Sequence, residues 1–337
     1  ILNLLDSNIS VAKNSWIKGN FSSENEESFA INGYFPNIKY LNTTFVENEF
    51  DFSGKQISST DELDVIGYLY SQEQVYSPNT STQDLTLEAV WDGSHIDLRN
   101  SIQDTAANNY AELGADLKFY EQRIELQFED SNIMAYGETW NIADANEIVF
   151  TNEKIRIDSL IIFNLNQSLS FNGAIAVEKD SLETVQINFN ELELKNVNAV
   201  TKQNYEGLVN GKLIAQNLLF DPLFFGDLNL KALYINDFLV GDILGDLNWN
   251  DPLKKLEVSF GVNRNEKDII LLNGGIFPRE EEQLDLQLQL NNTNLAIAEP
   301  YVSAYITGID GFISGSFNIN GDLKNPLLIG DGYIEKG

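Results

Sequence analysis

Leu284-Asp285-Leu286-Gln287-Leu288-Gln289-Leu290 is the stretch on which the fold turns. Apolar and polar residues alternate through it without a break. Successive side chains of an extended strand point to opposite faces, so this segment is a strand with one apolar and one wet face. The same period recurs on both sides of it. Leu169, Phe171, Gly173, Ile175 and Val177 alternate with Ser170, Asn172, Ala174 and Ala176. Ile124, Leu126 and Phe128 do the same, as do Leu85 to Trp91, Leu113 to Phe119, Val185 to Phe189, Leu256 to Val262 and Ile313 to Ile319. Antiparallel sheets carry this alternation, whereas buried parallel strands read as continuous apolar runs.

Turn chemistry separates the runs: Trp91-Asp92-Gly93-Ser94, Glu129-Asp130-Ser131-Asn132, Asn250-Asp251-Pro252, Asn273-Gly274-Gly275 and Asn320-Gly321-Asp322. Gly, Asn and Asp supply the positive φ or side-chain turns that hairpins need. The spacing predicts roughly twenty strands in one long antiparallel meander, an all-β protein. Two segments depart from the rhythm. Glu299-Pro300-Tyr301-Val302-Ser303-Ala304-Tyr305-Ile306 places Pro at a first helical position with Gly308 beyond, which predicts one short helix over 299–306 plugging the apolar face. Residues 71–82 are the most polar stretch and predict a long hairpin loop. No Pro- or Ser-rich linker divides the chain. Gly207-Leu-Val-Asn-Gly211 is loosely repeated as Gly311-Phe-Ile-Ser-Gly315, each copy followed by Pro-Leu and Gly, which suggests a module added along one axis.

Composition narrows the function. The 337 residues hold 21 Lys and Arg against 51 Asp and Glu, a formal charge of −30. Nucleic-acid binding depends on Lys and Arg displacing counterions, so this chain is not expected to bind nucleic acid. It lacks the basic clusters that settle on anionic membrane surfaces. There is no Cys, which removes disulfides and thiolate metal sites. The single His95 lies in Gly93-Ser94-His95-Ile96-Asp97-Leu98, and strand geometry points Ser94 and His95 to opposite faces, against a triad. Carboxylate pairs such as Asp61/Glu62/Asp64 and Glu266/Asp268 read as a solvated face, and no calcium-loop spacing occurs. No residue is expected to be catalytic, to ligate a metal or to hold a cofactor; the chain is not read as an enzyme. No run of about 18 apolar residues is present to span a membrane. The start at Ile1, with no basic-then-apolar leader, reads as a segment of a longer protein.

The apolar face of each strand must be covered. A second sheet, closure into a packed barrel, or a bound apolar ligand would each do it, and periodicity does not choose among them.

From about Ser131 onward the phrasing resembles the TamB family, the translocation and assembly module family of the AsmA-like superfamily. The segments that carry the resemblance are Gly137-Glu-Thr-Trp140-Asn-Ile-Ala-Asp-Ala-Asn146, Ile157-Asp-Ser-Leu160 through Gln167-Ser-Leu-Ser-Phe-Asn-Gly173, Gly207-Leu-Val-Asn-Gly211 with Pro222 and Gly226, Val240-Gly241-Asp-Ile-Leu-Gly245 through Gly275-Ile-Phe277, and Glu299-Pro300-Tyr-Val through Gly308-Ile-Asp-Gly311-Phe-Ile-Ser-Gly315 to Gly321, Pro326 and Gly330. Residues 131–337 carry it; residues 1–130 fit by pattern, and the two are expected to form one continuous structural unit.

The resemblance implies an elongated meander curved into a U-shaped apolar groove. It implies phospholipid carried across the periplasm between inner and outer membranes, as part of an inner-membrane-anchored protein, with a link to outer-membrane assembly. The implied partners are phospholipid acyl chains and an Omp85-type outer-membrane barrel, the latter reached through parts outside this chain, because neither an N-terminal anchor nor a barrel-docking strand is evident. On that reading Leu169, Phe171, Ile175, Val258, Phe260, Leu286, Leu288, Leu290, Phe317 and Ile319 line the groove. The competing expectation is a structural or adhesive extracellular β rod with a dry core.

Overall fold

Alternation along each segment becomes registry between segments in the computed structural model. It describes residues 8–23, 27–57, 62–77, 80–104, 109–135, 137–179, 181–198, 204–298 and 310–335. They form 22 strands in an antiparallel meander. The chain divides into two compact units, Ile1–Asn164 and Leu165–Gly337, with the division beyond the 130/131 boundary drawn from the resemblance.

The first unit holds β1 (Ile9–Val11), β2 (Trp16–Ser22), β3 (Ser28–Tyr40), β4 (Thr43–Ile57), β5 (Glu62–Ser77), β6 (Thr80–Asp92), β7 (His95–Asp104), β8 (Asn109–Phe119), β9 (Ile124–Ala135), β10 (Glu138–Ile142), β11 (Glu147–Phe150) and β12 (Lys154–Asn164). Because paired residues share a face, the registers can be followed across the sheet. Phe21, Phe29, Gly54, Val65, Trp91, Ile96, Leu117, Leu126, Ile148 and Ile157 lie in one row across β2 to β9, β11 and β12. On the other face a row runs Lys18, Asn32, Asp51, Tyr68, Glu88, Arg99, Gly114 and Glu129.

In this unit β10 and β11 act as one interrupted strand, since both pair with β9 and with β12. The interruption would leave backbone groups of β9 without ladder partners. Asn146, 4% exposed, fills the gap: it accepts from the Phe128 N–H at 2.7 Å and donates through Nδ2 to the carbonyls of Phe128 and Ala143 at 2.9 and 2.7 Å. An Asn amide can substitute for a missing peptide in this way because it carries both a donor and an acceptor.

The second unit holds β13 (Gln167–Ala176), β14 (Thr184–Glu193), β15 (Tyr205–Gln216), β16 (Leu223–Ile235), β17 (Phe238–Asn250), β18 (Lys255–Arg264), β19 (Lys267–Ile276), β20 (Leu284–Asn294), β21 (Phe312–Gly321) and β22 (Pro326–Glu335), with 3-10 turns at Leu194–Val197 and Leu295–Ala298. The helix expected over 299–306 lies outside the described residues. Of the stretch expected to be a long loop, residues 71–77 are the end of β5 and residues 80–82 the start of β6, while 78–79 lie outside the described residues; polar side chains of the two strands bond to one another: Thr82 Oγ1 to Gln74 Oε1 at 2.8 Å, Tyr76 with Thr82 at 3.1 Å and Ser77 to Thr80 at 3.0 Å. Polar composition suggested a loop, but cross-strand pairing satisfies these groups equally well. Among the described residues no helix is long and apolar enough to cross a membrane.

Candidate functional site

The second unit carries an apolar face. Three rows of residues cross it with few breaks. The central row is Phe171, Ile187, Leu213, Gly226, Leu247, Val258, Gly274, Leu286, Ile319 and Leu328. Beside it runs Leu169, Phe189, Gly211, Leu228, Gly245, Phe260, Leu272, Leu288, Phe317 and Gly330. A third row holds Leu192, Val209, Leu230, Ile243, Val262, Ile270, Leu290 and Gly315. The opposite face carries Ser170, Asn188, Lys212, Asp227, Asp246, Ser259, Asn273, Gln287 and Asn318 in register. Polar neighbours there bond across strands, as Asn188 does to Ser170 at 2.8 Å and Ser259 to Asn273 at 2.9 Å.

Packing on the apolar face is local. One cluster of buried residues joins Leu256, Val258, Leu284 and Leu286; a second joins Leu233, Ile235, Val240, Val262 and Ile269. The members and the side chains packed on them come from neighbouring strands of the same unit and from the two 3-10 turns, which contribute Leu194 and Ile297 to the second cluster. Val258 and Leu286 are 5% and 6% exposed. Leu169, Phe171, Phe260, Leu288, Leu290, Phe317 and Ile319 are half-buried on the same rows. Ile175 follows Phe171 and Gly173 at the same period on β13, beyond Gly173, the last described residue in register with β14. The residues expected to line a groove therefore share one face of one unit, and two of them are buried by their own neighbours.

Sequence reading missed a feature of this face that recurs in both units: a glycine in one strand with a phenylalanine ring of the next strand laid over it. The rings of Phe50, Phe29 and Phe52 occupy the space a Cβ would need at Gly33, Gly54 and Gly67, and the ring of Phe260 does so at Gly245. Each pair is a direct cross-strand partner. The missing Cβ lets the ring lie over the neighbouring backbone instead of standing away from it. A glycine opposite a phenylalanine is visible in sequence only once the register is known.

His95 lies on the polar face of the first unit. Its Nδ1 is 2.6 Å from Asp92, and its Nε2 is 3.9 Å from Asp97. Asp97 faces Asp116 directly across β7 and β8, and Lys118 reaches Asp116 at 2.9 Å. Potential ligand atoms of His95, Asp97 and Asp116 come within 4.8 Å of one another. Asp97 and Asp116 are like charges facing each other across two strands, and Lys118 moderates that repulsion; the group is a cross-strand charge network. No protein-family model matches this chain, and neither a curated protein nor a solved structure does so.

Proposed function

We propose that the apolar face carries phospholipid acyl chains, in a groove that moves lipid across the periplasm between inner and outer membranes and is linked to outer-membrane assembly. What supports this is one observation: apolar rows cross the strands of the second unit in register, and Phe171, Phe260, Leu272, Leu288 and Phe317 stay half-buried on a face whose packing is local. Burial of apolar surface contributes about 25 cal/mol per Å² without directional demands. A lipid held this way needs no pocket and can shift from one strand to the next, because each step exchanges like surface for like. The reaction needs no catalytic residue, cofactor or metal. Aqueous exposure of the polar rows keeps the other face in solvent.

A dry β rod is the second reading, and the burial of Val258 and Leu286 by their own neighbours favours it. Photocrosslinking in cells separates the two. The probe is placed at Leu288, which lies between Leu272 and Phe317, and then at Gln287, which lies on the other face between Asn273 and Asn318. Phospholipid captured at Leu288 and not at Gln287 is the expected result. Protein adducts alone at Leu288 would overturn the lipid reading in favour of the rod.

A further inference from the structure

A meander sends alternate turns to the same end of its sheet. In the second unit the turns 217–222, 251–254, 277–283 and 322–325 share one rim. Phe220, Pro222, Lys254 and Arg279 of the first three line one cleft, and the Leu323 N–H of the fourth donates to Gln283 Oε1 at 3.3 Å. Three successive turns of this rim carry the same doublet, an apolar residue followed by a cation: Leu253-Lys254, Pro278-Arg279 and Leu323-Lys324. Leu253 and Leu323 are 58% and 56% exposed, and Leu219 and Phe220 in the neighbouring turn are exposed as well. The leucines sit on turns closed by polar groups. Asp322 Oδ1 accepts the N–H groups of Lys324 and Asn325, both at 2.8 Å, and Asn250 Oδ1 accepts that of Leu253 at 3.3 Å. The two-residue turns at the opposite end, Asn236-Asp237 and Asn265-Glu266, hold neither an apolar residue nor a cation.

The doublets set the chemistry of the partner. Successive ones lie two strands apart, about 10 Å at roughly 4.8 Å per strand, so they form a row of separate tips and not a pocket. A protein partner would need a matching pit for each tip. The outer acyl region of a bilayer admits all of them without shape complementarity. A leucine beside a lysine suits the depth profile of that interface, because the long cationic stem carries its charge back to the level of the head groups. The ion pair of Lys254 with Asp251, at 2.6 Å, is exposed and exchanges readily. Carboxylates fix the kind of bilayer. Asp221, Asp251, Asp322 and the exposed run Glu280-Glu281-Glu282 outnumber the cations of these turns and oppose a surface of net negative charge. Trp249 lines the rim cleft and packs on the cluster of Leu256 and Leu284, so apolar surface continues from the rim to the face behind it.

We infer that this rim docks on a bilayer whose head groups carry no net charge, with Leu219, Phe220, Leu253 and Leu323 in its outer acyl region. The docked rim is then the port through which acyl chains reach the apolar face; that second half rests on the function proposed above, and the contact itself does not.

The chain holds no cysteine, so one label can be placed at a time. Leu253→Cys, Leu323→Cys and, at the opposite end, Asn265→Cys are labelled with nitrobenzoxadiazole in the full chain and titrated with phosphatidylcholine vesicles. Emission at 253 and 323 is expected to shift to the blue and brighten, while emission at 265 stays that of water. In vesicle flotation Leu253→Asp/Leu323→Asp, with its circular dichroism unchanged, should need at least about tenfold more lipid for half-maximal binding, since two leucine side chains leave the acyl region. Equimolar phosphatidylcholine and phosphatidylglycerol should bind the chain more weakly than phosphatidylcholine alone. No vesicle response at 253 and 323, an equal response at all three positions, or wild-type flotation of the double variant would overturn the contact. A blue shift that grows with protein concentration in the absence of vesicles would overturn it in favour of a second copy of this chain. Stronger binding to the phosphatidylglycerol vesicles would overturn the choice of a neutral surface. The two readings also fail apart. Phospholipid captured at Leu288 with water-like emission at 253 and 323 removes the rim contact alone, and the converse pair of results removes the lipid-carrying face alone.

Discussion

Single residues set how closely strands approach one another on the apolar face, and the strictest of them are glycines. Gly274 lies in the central row with φ +147°, a backbone region closed to L side chains, and a Cβ there would collide with the Asp285 carbonyl on the adjacent strand. Gly274→Ala is therefore expected to destabilise the chain by about 3 kcal/mol, read as a shift in the urea unfolding midpoint. Gly261, whose Cβ would make only an ordinary contact with Leu271, should tolerate the same change. Sequence reading took Asn273-Gly274-Gly275 as a turn, because Asn-Gly is strong turn chemistry. Strand pairing overrides it: Gly274 sits between Val258 and Leu286 in mid-sheet. A different kind of residue-level device appears at Tyr70. Its hydroxyl donates to Asp84 at 2.8 Å, and this bond, followed by burial, pushes its pKa up from 10.0 to about 12. The folded value lies above the unfolded one, so the contribution to stability is full below pH 10 and is lost as pH rises from 10 through about 12. Tyr34, whose hydroxyl donates to Glu47, is raised as well, so absorbance titration of the tyrosines should show amplitude near pH 12 that falls by one tyrosine in Tyr70→Phe. Unchanged amplitude near pH 12 in the variant would show that Tyr70 does not titrate there.

Strands were legible in the sequence because alternation is a property of neighbouring residues. Bulges were not, because they are imposed by the strand next door. In the second unit Glu191, Ala232 and Asn292 adopt positive φ inside β14, β16 and β20, at 47°, 51° and 49°. Glu and Ala carry no local preference for that conformation. At each bulge the displaced backbone N–H is taken by a side chain of the adjacent strand: Asn210 Oδ1 at 2.9 Å, Asp242 Oδ1 at 2.7 Å and Ser314 Oγ at 2.8 Å. The register then slips by the amount needed to return Leu192, Leu233 and Thr293 to pairing. A bulge bends its strand and raises local twist, and here it comes with its own hydrogen-bond acceptor. Asp242→Ala should cost about 1 kcal/mol, because solvent can replace the carboxylate at this exposed position. Amide hydrogen exchange at Ala232 should accelerate by more than the global change accounts for. Exchange at Ala232 that follows global unfolding in both proteins would show that Asp242 does not hold the bulge.

At the scale of the whole molecule, each unit by itself presents opposed faces. Polar rows keep one face of each unit wet, and a formal charge of −30 discourages strand-to-strand association between molecules. The candidate face was readable to this extent: alternation placed Phe171, Val258, Phe260, Leu286, Leu288 and Phe317 together, and registry does bring them onto one face. Their unequal burial was not readable, since it depends on which neighbours are glycine and which are leucine. That inequality supplies a test of function. Leu286 is 6% exposed, enclosed by Leu256, Val258 and Leu284, whereas Leu288 on the next row is half-buried. An arginine at 286 leaves an unpaired charge among packed side chains, so Leu286→Arg should lose several kcal/mol and much of its β circular dichroism whether or not lipid binds. At 288 the outcome depends on what borders the side chain. If acyl chains do, Leu288→Arg retains the β signal of wild type, because its long side chain can carry the guanidinium out to water, and less phospholipid co-purifies with the protein. If protein does, the variant behaves like Leu286→Arg and unfolds with it. Matched circular dichroism, urea unfolding and co-purified lipid for the two variants thus weigh the conducting face against the dry rod, and joint unfolding of both would decide for the rod.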